Sequence, residues 1–196
     1  MSISLKKHEP ISLKKMDDSL QHIQLGIEWK TTQRNFDVDI QAFICESRLV
    51  DGAPKAQVID DTYTVFFNNQ TSADGSFWSH GDDLGGDGGG SEAIDGDLSK
   101  IDSRAVEVAF IATINKADTR HQNFGQVSGG KVFIINTDTN EELAKWDFGP
   151  GAFSSETALH LGSLSRGDDG WEFTAVGEGG VKSFEDIAVL DYGYPT

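Results

Sequence analysis

The chain has 196 residues and a formal net charge of −16, from 32 acidic and 16 basic side chains. That length suits one domain with a sizeable core, and 37% hydrophobic residues, 10% of all residues being aromatic, argue against global disorder. The charge argues against a nucleic-acid partner, because phosphate contacts need a basic face.

The first sixteen residues hold a small internal repeat. Ile3-Ser4-Leu5-Lys6-Lys7 returns as Ile11-Ser12-Leu13-Lys14-Lys15, with Pro10 ahead of the second copy. Each copy alternates apolar and polar side chains, which predicts two short strands. Two such copies are too few for a solenoid. The N-terminus lacks the anatomy of a signal peptide, and the longest apolar run, 108–114, is far too short to span a bilayer. A soluble, cytoplasmic protein that is not an integral membrane protein is expected.

From His22 to Trp29, alternation puts Ile23, Leu25, Ile27 and Trp29 on one face. Phe36, Val38, Ile40 and Ala42 form a second inward face, with Asp37, Asp39 and Gln41 opposite. Cys45 stands in an apolar run as the one cysteine, so a buried, inert thiol is expected rather than a disulfide or a cysteine-rich zinc site. Further strand-like runs are 63–67, 105–114, 131–136, 157–164 and 171–176, separated by turn clusters such as Asp51-Gly52, Gly129-Gly130 and Gly167-Asp168-Asp169-Gly170. Many short strands without intervening helical pattern predict an antiparallel sandwich or barrel, mainly all-β. Only the C-terminal stretch reads as a short helix, with Ser183 as its cap, Asp186 three residues on, and Phe184, Ile187 and Ala188 on one face. No linker divides the chain, so residues 1–196 are expected to form a single unit.

The segment 74–102 is chemically the most unusual. It holds eight carboxylates (Asp74, Asp82, Asp83, Asp87, Glu92, Asp95, Asp97, Asp102), eight glycines and one basic residue, Lys100. Two carboxylates 4 Å apart repel by roughly 4 kcal/mol at an effective dielectric near 20. A compact loop from Gly81 to Glu92 therefore calls for a counterion. Calcium suits it, taking six to eight oxygen ligands in irregular geometry, while the glycines let the chain fold back. A solvated acidic hairpin tip is the other reading. Asp37 and Asp39, roughly 7 Å apart on one strand face, fit a cation between them, or ordinary protection of a strand edge.

Neither segment is an EF-hand, because Gln41 stands at the third ligand position, the required glycine is missing, and no closing glutamate follows. Gly125-Gln-Val-Ser-Gly-Gly130-Lys131-Val132 fails as a phosphate-binding loop: Val132 replaces the magnesium-binding hydroxyl, and a strand-like run follows. There is no Gly-x-Ser-x-Gly elbow, and no two of the five histidines have zinc-ligand spacing. His80, beside the acidic loop, reads as a neighbour of a calcium site rather than a ligand. No enzyme is expected.

Several segments in order resemble the TerD family of bacterial tellurium-resistance and stress proteins. They are the repeated Ile-Ser-Leu-Lys start, Leu25-Gly-Ile-Glu-Trp29, Phe36-Asp-Val-Asp39, Phe67-Asn68-Asn69-Gln70, Asp74-Gly75-Ser76, Gly81-Asp82-Asp83, Thr113-Ile114, Gln122-Asn-Phe-Gly-Gln-Val127, Ser155-Glu-Thr-Ala158 and Trp171-Glu-Phe-Thr-Ala-Val-Gly177. The resemblance implies a two-sheet antiparallel β-sandwich that binds Ca²⁺. Carried over by motif, the ligands are Asp37, Asp39, Asp82, Asp83, Asp87 and Glu92, with Asp74 and backbone carbonyls near Asn68 as additions. It also implies a stress-response role, including tellurite resistance, as a calcium-dependent binding or scaffold module whose partners are other stress-resistance proteins at the inner membrane surface. A calcium-dependent small-molecule or glycan binder of lectin type, using Trp78 beside the acidic loop, is the alternative. One departure stands out: Gly88-Gly-Gly-Ser91 occupies part of a run that is more acidic in the family, so fewer or weaker calcium sites are expected.

Overall fold

The computed structural model describes residues 2–80 and 88–194. In chain order its strands begin with β1 (Ile3–Ser4), β2 (Pro10–Ser12), β3 (His22–Thr31), β4 (Val38–Val50), β5 (Ala53–Val58), β6 (Thr64–Val65) and β7 (Phe77–Ser79). They continue with β8 (Gly89–Asp97), β9 (Glu107–Ile114), β10 (Val127–Asn136), β11 (Glu141–Phe148), β12 (Ala158–Gly167) and β13 (Gly170–Gly180). One sheet runs β1-β11-β10-β3-β8-β7 and the other β2-β13-β12-β9-β4-β5, with β6 also on β4. Every ladder is antiparallel except that of β1 with β11. This is the expected two-sheet sandwich.

Alternation in the sequence decides which face each strand buries. Ile23, Leu25, Ile27 and Trp29 of β3 meet Val38, Ile40, Ala42 and Ile44 of β4 in one inter-sheet core. The N-terminal repeat forms two strands, both shorter than expected: the second ends at Ser12, which caps a helical turn, Leu13–Met16. Ile3 pairs with Ala144 at the edge of one sheet, and Ile11 pairs with Phe173 at the edge of the other. Leu5 and Leu13, the equivalent leucines, are both buried in the shared core. Between the two copies, Lys7 Nζ donates to the Gly177 carbonyl at 2.7 Å and lies 4.6 Å from the Trp146 ring centre. The repeat is therefore a clip that closes both sheets on one side.

Sequence alternation missed four strands: β5, β8, β11 and β7, which at three residues is too short to show a period. β8 is the most instructive, because its first residues lie in the glycine run read as loop. Gly89 and Gly90 pair with Lys30 and Trp29. A Cβ on Gly90 would lie 2.6 Å from the Trp29 ring, and one on Gly89 only 2.0 Å from the Trp29 carbonyl. These glycines seat the Trp29 backbone and indole, which a carboxylate-bearing residue would obstruct. β5 and β11 carry too much surface for alternation to reveal them. The run 63–67 is also shorter than expected: Asp61–Tyr63 is a 3₁₀ turn, and only Thr64–Val65 is strand.

A second, smaller core covers the outer face of β4, β9 and β12. Ile187, Ala188 and Tyr192 from the C-terminal segment pack there on Phe43, Cys45, Ala109, Ile111 and Ala158. Ser183 caps the turn Phe184–Asp186 as expected, its hydroxyl accepting from the Asp186 N–H, and a π-helical turn, Ile187–Asp191, follows. Tyr192 stacks on Phe43 with ring centres 4.6 Å apart. The Cys45 thiol is buried there, and burial raises its pKa, which makes it unreactive.

Beside this core, Ser163 Oγ donates to Glu107 Oε1 at 2.6 Å. The hydroxyl's one proton is thereby used, so His160 Nε2, 2.8 Å from the same oxygen, must donate to it. Such a histidine cannot act as base toward that serine, and the arrangement is structural. Burial holds the His160 pKa below its ordinary value of 6.5, outweighing the opposing charges of Glu107, Glu178 and Asp191. A histidine depressed in the folded state favours folding while neutral, and that contribution is lost as pH falls below 6.5 toward the folded value. Urea unfolding of wild type and His160→Gln between pH 7.5 and 5.5 should show wild type losing more stability on acidification. Parallel pH profiles would contradict this.

Candidate functional site

One end of the sandwich gathers Asp37, Asp39 and Asn68. β3 ends there at Thr31, β4 starts at Val38, β9 ends at Ile114, and the described chain resumes at Gly88 just before β8. The Thr31 N–H donates to the Gly88 carbonyl at 3.1 Å, tying the acidic loop's far end to β3. Its near end is pinned by His80, whose Nε2 hydrogen-bonds the Asp95 carboxylate. That carboxylate also accepts from Gln24 Nε2 at 2.8 Å. Asp82, Asp83 and Asp87 lie outside the described residues.

Asp37 is the most telling side chain at this end. It is only 5% exposed. Its Oδ2 accepts from Asn115 Nδ2 at 2.9 Å and lies 3.7 Å from Arg120 Nη1. Its Oδ1 is buried and has no hydrogen-bond partner among the described residues. Nearby, Gln122 Nε2 donates to the Arg34 carbonyl at 3.0 Å, while its Oε1 is likewise buried without a donor. Two buried oxygens without donors, one formally charged, are costly unless something positive meets them.

Asp39 emerges on the outer face of β4, opposite Thr113 of β9, as the Asp-x-Asp alternation predicts. Gln41, next on that face, donates through Nε2 to Thr113 Oγ1 at 2.9 Å. Asp39 and the exposed Asn68 line the same cleft of about 540 Å³, together with Phe67, Lys116, Asp118 and Glu185. The structure thus brings Asp37, Asp39 and Asn68 to one end.

Two other expected ligands stand apart. Asp74 Oδ1 accepts from Ser72 Oγ, Ser76 N and Ser76 Oγ at 2.7–2.9 Å, and Oδ2 accepts from the Asp102 N–H at 2.9 Å. Both oxygens are engaged, and Asp102 precedes the start of β9, at the opposite end from Asp37. Asp74 builds a turn. Asp102 itself is held well below the usual carboxylate range, chiefly by hydrogen bonds from the Arg104 side chain. Glu92 lies closer to the site but faces differently. It pairs with Ile27, so it points into the inter-sheet core, whereas Asp39 points away from it. Ser91, in the thinned run, pairs with Glu28 on the outer face of the other sheet, so an aspartate there would meet a like charge rather than the site.

Sequence reasoning missed Asn115, Arg120 and Gln122. Gln122 belongs to the Gln-Asn-Phe-Gly-Gln-Val string, but its role depends on the loop folding back onto Arg34, which spacing does not reveal.

The family model of the TerD domain matches residues 1–190. Tellurium resistance protein TerD of Serratia marcescens is 37% identical over 183 residues, covering 91% of each chain. General stress protein 16U of Bacillus subtilis (strain 168) is 36% identical over 198 residues, covering 98% of each. The crystal structure of a homologue of telluride resistance protein (TerD) from Streptomyces coelicolor A3(2) superposes with a TM-score of 0.59 at 21% identity, over 87% of this chain and 96% of that one, which shows the common fold. With the clip, the sandwich and the near full-length match together, the chain belongs to the TerD family of tellurium-resistance and stress-response proteins.

Proposed function

We propose that this chain binds calcium at the Asp37 end of the sandwich and acts as a calcium-dependent binding module in stress resistance, rather than as an enzyme. The observation that carries this reading is the buried Asp37 carboxylate, whose Oδ1 has no donor among the described residues. The groups offered at this end are oxygens: the Asp37 carboxylate and the Gln122 Oε1, both buried without a donor among the described residues, with Asp39 two residues on in β4. Oxygen ligands on irregular loops suit calcium, whereas magnesium demands near-octahedral order. Among the described residues no three His, Cys, Asp or Glu side chains already form a metal cluster.

Calcium would supply the positive charge that the buried Asp37 Oδ1 lacks among the described residues. Its partners, on this reading, are other stress-resistance proteins in the cytoplasm at the inner membrane surface. No helix of the described residues is long and apolar enough to cross a membrane. The cleft of about 540 Å³ supports a second reading, a calcium-dependent small-molecule or glycan binder.

Calorimetric titration tests the main reading. Wild type should bind calcium with a measurable heat, and Asp37→Asn should lose the tightest site, a change of tenfold or more in affinity for about 1.4 kcal/mol lost. Binding by the variant equal to wild type would overturn the assignment. Hits in a thermal-shift screen of sugars and metabolites, seen only with calcium, would favour the second reading.

A further inference from the structure

Arg120 has an unusual position at this site. Its Nη1 donates to the Asn35 carbonyl at 3.0 Å and lies 3.7 Å from Asp37 Oδ2. The second distance is too long for a hydrogen bond, so the attraction to Asp37 is one of charge. The Arg120 side chain is 30% exposed, so water lies within reach if it swings away.

The backbone that carries it is under local strain. The helical turn Ala117–Arg120 is flanked by Lys116 at φ 54° and His121 at φ 51°, both left-handed and neither glycine. Asn35, whose carbonyl holds the guanidinium, is also left-handed, at φ 51°. Such conformations persist only where the surroundings enforce them, and they cluster at binding and switch segments. The same turn is also a wall of the cleft, through Lys116, Ala117, Asp118 and Thr119. One short segment therefore touches both the Asp37 carboxylate and the cleft.

We propose that Arg120 is the counter-cation of Asp37 in the metal-free protein, that a divalent cation displaces it, and that the displaced turn 116–121 reshapes the cleft. The inference rests on the calcium reading of Asp37. A guanidinium and a divalent ion cannot share one carboxylate at close range without strong repulsion. Arg120 thus weakens metal binding while it stabilises the empty site. It sets the calcium level at which the cleft changes form, coupling the two sites through one element with two positions.

The experiment uses the full chain and calcium alone, titrated by calorimetry into wild type, Arg120→Gln and Arg120→Lys. Arg120→Gln should bind calcium about twofold to fivefold more tightly, since no partly exposed ion pair need be given up. Its thermal midpoint in chelator should fall below that of wild type, and the gap should close in calcium. Arg120→Lys, which keeps the charge, should resemble wild type in both respects. Amide hydrogen exchange across 116–121 should change when calcium is added to wild type, while the centres of β4 and β9 do not respond. If wild type binds calcium and Arg120→Gln has the same affinity, or Arg120→Lys gains as much as Arg120→Gln, the role of Arg120 is overturned and the calcium site stands. Unchanged exchange at 116–121 overturns the link to the cleft. Absence of any calcium binding by wild type removes both the site and the inference.

Discussion

Calcium should raise the unfolding midpoint of this protein by about 5–10 °C over chelator when present at a hundred times its dissociation constant. The size follows from linkage. A ligand that binds only the native state at that excess adds about 2.7 kcal/mol per site, and in a domain of this length each kcal/mol moves the midpoint by about 2–4 °C. The sign follows from Asp37, whose buried Oδ1 has no donor among the described residues, and from the net charge of −16, which a cation reduces. Magnesium at equal concentration should give a smaller shift, because its octahedral demand is harder to meet with loop oxygens. Asp37→Asn should remove most of the calcium effect. Superimposable melting curves in calcium, magnesium and chelator would count decisively against the site.

The largest loss from a single substitution should come at Phe77. Its ring is fully buried, lies over Gly96 of the neighbouring strand and meets Phe110 of the opposite sheet edge-to-face at 5.7 Å. A Cβ on Gly96 would stand 2.4 Å from that ring, so residue 96 has no side chain with which to fill a vacated space. Phe77→Ala should cost about 3–5 kcal/mol, the usual range for a buried aromatic reduced to alanine, and lower the midpoint by on the order of 10 °C. The damage should also reach the metal site. Phe77 anchors β7, the short edge strand that leads into the acidic segment, so calcium affinity should drop along with stability. Urea unfolding and calorimetry on the same preparation would show both changes. A variant that unfolds at the wild-type urea concentration would mean that the cavity collapses without cost.

Much of this architecture is legible in the amino-acid order. Alternation from Ile23 to Trp29 and from Phe36 to Ala42 assigns the inner faces of β3 and β4 correctly, because each side chain lies on the face that its parity dictates. Ser183 and Asp186 announce the C-terminal turn because capping depends on neighbours only. β8 is illegible for the opposite reason. Its glycines look like loop, yet they are there to receive Trp29, a residue sixty positions away in the chain. The site divides in the same way. Asp37 and Asp39 can be picked out by type and spacing, but the burial of Asp37 and its contacts with Asn115 and Arg120, which leave Oδ1 without a donor among the described residues, depend on the fold. Asp74 and Glu92 stand apart from Asp39 for a related cause. A carboxylate in an acidic stretch looks like a ligand whether it ties a turn or faces a core, and only strand register separates these cases.

The N-terminal clip also constrains when the protein can finish folding. β1 and β2 are synthesised before the other strands of the sandwich, yet their partners β11 and β13 end at Phe148 and Gly180. At a synthesis rate of about 5–20 residues per second, the first copy waits roughly seven to thirty seconds for its strand, and the strand of the second copy follows roughly two to six seconds later. During that interval Leu5 and Leu13 remain in water. Chain order allows closure in two steps: the first copy has its partner once β11 is made, and the second only once β13 has emerged. A nascent chain halted between those points would carry one sheet clipped and the other open, so sensitivity of residues 8–16 to protease would report how far synthesis had gone.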